Sequence, residues 1–151
     1  MEDNAGVTLP PPAIFIVTLV VAIVLNHCWP IYTIPQKVRW VGVVLILMGL
    51  AAIGGGVSEF RKFKTSFVPI APAKAMLDKG IFAKTRNPLY LGLLCIYVGV
   101  ACLFSTVWAF LFLPLVLFAI TKLVIVKEEA YLERRFGERY LDYKSRVRRW
   151  M

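Results

Sequence analysis

Two short stretches carry the residues from which chemistry could be built. The first, "KTRNPLYLG", sets a fixed cation (Arg86), an amide (Asn87), Pro88 and a phenol (Tyr90) at the opening of a long apolar run. Pro88 suits the first turn of a helix, where a missing N–H costs nothing, and it keeps Asn87 out of the helical region. Arg86 and Asn87 then stand in a turn at a helix entrance, where free N–H groups and a partial positive charge favour an anion such as a carboxylate. Arg86 adds a forked donor, and Tyr90 offers a ring face that could stack on a base or meet a cation. The second stretch is "VIVKEEAYLERRFGERYLDYKSRVRRW". Its Glu128 and Glu129 follow an apolar run almost at once, and carboxylates at a membrane boundary are functional candidates by default. They could hold an ammonium or sit near a sulfonium, so the two stretches together suit a ligand bearing both a carboxylate and a cation. A plainer reading stands beside this one. Arg86 could snorkel to lipid phosphates, Tyr90 could belong to the aromatic belt, and the glutamates could form ion pairs on a solvated helix face.

The elements that must position these groups follow from composition. Of 151 residues, 59% are apolar, above the roughly 45–50% of a soluble domain, and the excess lies in blocks, as in a membrane protein. Span one is expected over about 13–29 and span two over about 40–57, ending at the glycine run Gly54–Gly56. The apolar region 88–126 would reach about 60 Å as one helix, twice the hydrocarbon core. A break at Phe104–Thr106 divides it into spans 88–104 and 107–126, a helical hairpin, with Pro114 kinking the second. A charged tail helix follows over 127–150. It is interrupted at Gly137 and carries an aromatic stripe of Phe136, Tyr140, Tyr143, Val147 and Trp150, suited to lying on the membrane or capping the bundle. The reading is an all-α integral membrane protein, with about four transmembrane helices and a C-terminal amphipathic helix. They form one domain over 13–151 behind a disordered, proline-rich lead-in over 1–12.

Charge supplies the topology. The net charge is +9, with seven basic residues between Ser58 and Asn87, eight from Lys127 onward and only Lys37 and Arg39 on the opposite side. This bias puts both termini in the cytoplasm, and it gathers "TRNPLY" and the tail at one membrane face. The basic blocks mark a membrane boundary, and no aromatic-and-basic spacing points to nucleic acid. Cys28, Cys95 and Cys102 form no paired motif, so neither a disulfide framework nor a metal site is expected. His27 and Lys122 are ionisable but lie near span ends, and the halves show no repeat, which argues against a transporter.

The order "GIFAKTRNPLYLG", a further span, then "KEEAYLERRFGERYLDYKSRV" resembles the isoprenylcysteine carboxyl methyltransferase family of integral-membrane enzymes, over about Gly80–Arg149. The resemblance implies an S-adenosylmethionine site made by Arg86, Asn87, Pro88, Tyr90, Glu128 and Glu129, with S-adenosylhomocysteine as product. Asn87 stands where the eukaryotic enzymes have histidine, so a mechanism needing a base there is in doubt. A substrate carboxylate would want its own cation, and Arg134 and Arg135 are taken for that catalytic role. The expected activity is methylation of a lipophilic acceptor entering from the bilayer, first of all carboxyl O-methylation of a prenylcysteine-like substrate. The alternatives are a phospholipid-type N-methyltransferase and a non-enzymatic four-span scaffold.

Overall fold

The computed structural model describes residues 6–7, 9–32, 35–64, 73 and 75–150. Every regular element among them is helical: α1 Pro11–Cys28, α2 Val38–Lys62, a 3₁₀ turn Gly80–Ala83, α3 Pro88–Leu103, α4 Val107–Ile120, a π-helical turn Thr121–Ile125, α5 Val126–Phe136 and α6 Glu138–Arg146. Three helical stretches, Pro11–Cys28, Val38–Lys62 and Val107–Phe136, are long and apolar enough to cross a membrane, and Pro88–Leu103 is a shorter apolar helix. Of the expected lead-in, residues 1–5 and 8 lie outside the described residues. Within the rest, Val7 is buried, Lys127 Nζ donates to the Gly6 carbonyl at 3.3 Å, and α1 begins at Pro11, a proline at its first position.

Helix α3 packs chiefly on α2 and α4 chiefly on α1, with α1 also touching α3. The two helices of the hairpin thus find their main partners elsewhere. Its turn forms where expected: Phe104 and Thr106 flank Ser105, whose φ is +52°. Thr106 Oγ1 donates to the Ala22 carbonyl at 3.2 Å, and Trp108 Nε1 to that of Trp29 at 2.8 Å, fastening α4 to α1 at this end.

The α2–α3 seam is made of backbone. A Cβ on Gly42 would lie 2.6 Å from the Gly99 carbonyl oxygen, and one on Gly49 would lie 2.5 Å from that of Gly92. Gly56 abuts Leu89, so positions rise along α2 as they fall along α3, and the helices are antiparallel. This seam corrects one expectation. The glycine run 54–56 does not end the second span: α2 continues through it to Lys62. Each glycine weakens a helix by about 1 kcal/mol relative to alanine, but Gly56 is buried against α3 and the tertiary contact overrides the local weakness.

The fourth span runs on into the charged tail without a break, as expected. Pro114 lies within α4, and the helix then widens into the π turn, where the Val126 N–H reaches the Thr121 carbonyl. It runs on as α5 and carries Glu128 and Glu129 on the same rod. Gly137 ends α5 at φ +55° and ψ −131°, a conformation open essentially to glycine alone. A Cβ there would meet nothing within 4 Å, so the cost of Gly137→Ala is backbone strain, about 1–3 kcal/mol. We expect this variant to lower the thermal midpoint in detergent, and an unchanged midpoint would show that the turn relaxes freely. The charged tail over 127–150 is thus interrupted at Gly137, as expected, into α5 and α6. The chain leaves α6 at Val147, whose φ of −116° and ψ of 128° are extended. Of the aromatic stripe, Tyr140, Tyr143 and Val147 close over Met76, with Phe136 packed beside them, while Trp150 packs into the main core.

Candidate active site

The turn Thr85–Asn87 and the glutamates of α5 meet at the end of the bundle that also receives the C-terminal segment. Asn87 caps α3 in an extended-side conformation (φ −129°, ψ 56°) with Pro88 at the first helical position, as the proline demands. Tyr90, one turn into α3, donates its hydroxyl to Glu128 Oε1 at 2.7 Å. Glu129 is buried and Arg86 half-buried, with side chains 9% and 11% exposed, and Arg86 Nη1 stands 3.4 Å from Glu129 Oε1. Two of the Arg86 nitrogens, Nε and Nη1, are buried without a hydrogen bond.

The structure thus brings together five of the residues named from sequence, with Pro88 starting the helix beneath them. It also adds one that sequence reasoning missed. Arg149 donates from Nε to Glu129 Oε1 at 3.0 Å and from Nη2 to Oε2 at 2.7 Å, a two-point pair. That hydrogen bond raises the Arg149 guanidinium above its usual range. The backbone is tied in as well. The Arg149 carbonyl accepts from Thr85 Oγ1 at 3.1 Å and from Asn87 Nδ2 at 3.0 Å, and the Arg148 carbonyl accepts the Arg86 N–H at 3.0 Å. The Asn87 amide is therefore engaged with the chain terminus. Thr85 Oγ1 also accepts the Asn87 N–H at 3.2 Å, which locks the turn from within.

The tail aromatics form the wall of this cluster. Tyr140 is pushed up to about 12, first by burial and then by the charge of Glu129, with Arg86 offsetting part of it. Burial raises Tyr143 too, and its hydroxyl donates to the Phe82 carbonyl at 2.7 Å. Both phenols stay neutral at any physiological pH. Arg134 and Arg135 are placed differently. Both are exposed on α5, and Arg135 Nε donates to the Ala73 carbonyl at 2.7 Å. The guanidinium groups on Glu129 come from Arg86 and Arg149. Among the described residues no group of metal-ligating side chains is found.

The sequence model of the phospholipid methyltransferase family matches residues 38–139, from the start of α2 into α6. The chain belongs to the phospholipid methyltransferase family. These are integral-membrane methyltransferases related to the isoprenylcysteine carboxyl methyltransferases, and membership supports a membrane methyltransferase acting on a lipophilic substrate. An uncharacterized protein of Haemophilus influenzae is 36% identical over 63 residues, which are 42% of this chain and all of that protein. No solved structure matches significantly. The family match takes in Arg86, Tyr90, Glu128 and Glu129, and it stops before Arg149.

Proposed function

We propose that this phospholipid methyltransferase family member transfers a methyl group from S-adenosylmethionine to a lipophilic acceptor, at the cytoplasmic face of the membrane and with both termini on that side. The observation that carries the reading is the convergence of Tyr90 with Glu128 and of Arg86 with Glu129 at one helix entrance. The residues fit the cofactor. The buried, orphaned nitrogens of Arg86 suit a carboxylate, Glu129 suits an ammonium, and the Tyr90 ring suits a base or a cation. When bound, S-adenosylmethionine supplies an electrophilic methyl group on a sulfonium, and S-adenosylhomocysteine remains. The protein's part is alignment and exclusion of water. Asn87 holds the turn through the Arg149 carbonyl and cannot accept a proton, so the reaction does not use a base at that position.

The acceptor we favour is a prenylcysteine-like carboxylate, which is already anionic and needs no general base. Its apolar tail would enter from the bilayer. Helix α3, with 16 residues, spans about 24 Å and falls short of the roughly 30 Å hydrocarbon core, which draws the turn at its entrance towards lipid depth. Arg134 and Arg135, exposed beyond the glutamates, are the cations we propose for the incoming carboxylate. One observation favours a phospholipid amine as a second reading. Among the described residues no cation pairs with Glu128, whose hydrogen bond comes from the neutral Tyr90 phenol. A carboxylate so placed can take the proton that an amine must lose.

Calorimetry with S-adenosylhomocysteine on the detergent-purified protein tests the cofactor, and a labelled methyl donor offered with each acceptor tests the rest. We expect saturable binding and a base-labile methyl ester on a prenylcysteine analogue. Label that enters a phosphatidylethanolamine headgroup instead would establish the second reading. A well-folded protein that binds no S-adenosylhomocysteine would overturn the enzyme reading and leave a four-span scaffold.

A further inference from the structure

The C-terminal segment Val147–Trp150 lies outside the residues that the family model matches, yet it makes the shortest contacts to the buried carboxylate. We infer that Arg149 is a positioning residue of the cofactor site: it fixes the orientation of the Glu129 carboxylate, and through its own carbonyl it fixes the turn that presents Arg86. The inference rests on the cofactor reading above.

Three observations carry it. First, Glu129 is buried, and a carboxylate in that setting needs hydrogen-bonded compensation. Arg86 does not provide it, because its Nη1 stands 3.4 Å away and makes no hydrogen bond. Arg149 provides it at two points, 2.7 and 3.0 Å. A forked pair constrains the plane of the carboxylate as well as its charge.

Second, the segment is fastened by its backbone, independently of that side chain. The carbonyls of Arg148 and Arg149 accept three hydrogen bonds from Thr85, Arg86 and Asn87. The Trp150 ring is packed against the main core. A segment held at so many points is part of the wall. It does not have the build of a latch that the cofactor must push aside.

Third, the pairing frees Arg86. Because Arg149 donates one hydrogen bond to each oxygen of Glu129, the Nε and Nη1 groups of Arg86 keep their donor capacity for an anion, and Glu129 keeps acceptor sites for an ammonium. Without Arg149, Glu129 would draw Arg86 onto itself, and the anion-binding half of the site would be lost together with the orientation of the carboxylate.

The test is S-adenosylhomocysteine affinity by calorimetry, read beside thermal unfolding, for Arg149→Ala, Arg149→Lys, Glu129→Gln and the double variant Arg149→Ala/Glu129→Gln. Arg146→Ala, whose exposed side chain pairs with Asp142, serves as the control for loss of a tail cation. We expect Arg149→Ala to weaken binding at least thirtyfold and Arg149→Lys about tenfold, since lysine restores charge without the fork. Arg146→Ala should stay within twofold. The double variant should bind no worse than Glu129→Gln alone, because Arg149 acts through that carboxylate. Arg149→Lys keeps the charge balance and carries the test if the alanine variant does not fold. Affinity unchanged in Arg149→Lys, losses that add in the double variant, or tighter binding by Arg149→Ala would each overturn the inference. The last would mark the tail as a competitor for the site. A parent protein that binds no S-adenosylhomocysteine fails the cofactor reading itself, whereas a binding parent with indifferent variants fails only the role of Arg149.

Discussion

Glu129→Gln should lower kcat/KM for methyl transfer by two to three orders of magnitude while leaving the helices in place. The substitution keeps the shape of the side chain and removes its charge. Two guanidinium groups, one of them almost fully buried, then lose their shared counter-charge. Removing one partner from a buried ion pair costs about 3–5 kcal/mol, and each 1.4 kcal/mol that reaches the transition state is tenfold in rate. The contrast with Glu128→Gln sharpens the expectation. Glu128 receives its hydrogen bond from a neutral phenol, and a glutamine carbonyl can accept the same bond. That change should therefore cost little in stability. If a carboxylate acceptor is used, it should also cost less than about tenfold in rate, the value of roughly one neutral hydrogen bond. A Glu129→Gln enzyme with turnover near the parent's would remove Glu129 from the site and would favour the solvated-face reading of the glutamate pair.

The second large effect lies away from the chemistry. Gly49→Ala should destabilise the folded protein by about 2–3 kcal/mol, the upper part of the usual range for overpacking. Its new methyl would sit 2.5 Å from the Gly92 carbonyl oxygen and 2.7 Å from Ile96 Cγ1. The first of these is backbone and cannot rotate away, so the helices must part. Because Gly56 rests on Leu89, next to Pro88 and Tyr90, the separation reaches the site, and cofactor affinity should fall with stability. Gly54→Ala, five residues on in the same helix, should do the opposite. Nothing lies within 4 Å of its Cβ position, and alanine gains up to about 1 kcal/mol of helix propensity over glycine. Thermal unfolding of the two variants in one detergent checks both signs at once. Equal shifts would mean that the α2–α3 seam is looser than its spacing implies.

The two variants also show where sequence reading reached its limit. The breaks at Phe104–Thr106 and Gly137 and the start of α3 at Pro88 rest on local signals: a proline, a glycine, a change from apolar to charged. The meeting of Arg86, Tyr90, Glu128 and Glu129 rests on the uneven spread of basic residues along the chain and on the family resemblance. The course of α2 through Gly54–Gly56 rests on a partner surface at Ile81 and Leu89, distant in the chain, and no local signal announces it. Arg149 was hidden for a similar reason. In "RVRRW" three arginines look alike, and they read as a basic membrane edge. What separates Arg149 from Arg148 is the extended backbone at Val147, which releases the chain from α6 and turns one side chain inward. The only hint in the sequence was Trp150, an aromatic at the end of a charged tail.

The π turn at Thr121–Ile125 bears on direction around the helix. Each residue of an α-helix advances the rotation by roughly 100°, and a π turn accommodates one residue more than an α turn would. The π turn therefore absorbs one residue, and the helix beyond Ile125 keeps the phase it would have without it. Deleting a residue within 121–125 would close the turn to an α turn and leave Glu128 and Glu129 on their present face, whereas deleting Val126 or Lys127 would turn both glutamates by about 100°. The π turn is thus the place in this rod where the chain can change length by one residue without re-aiming the site.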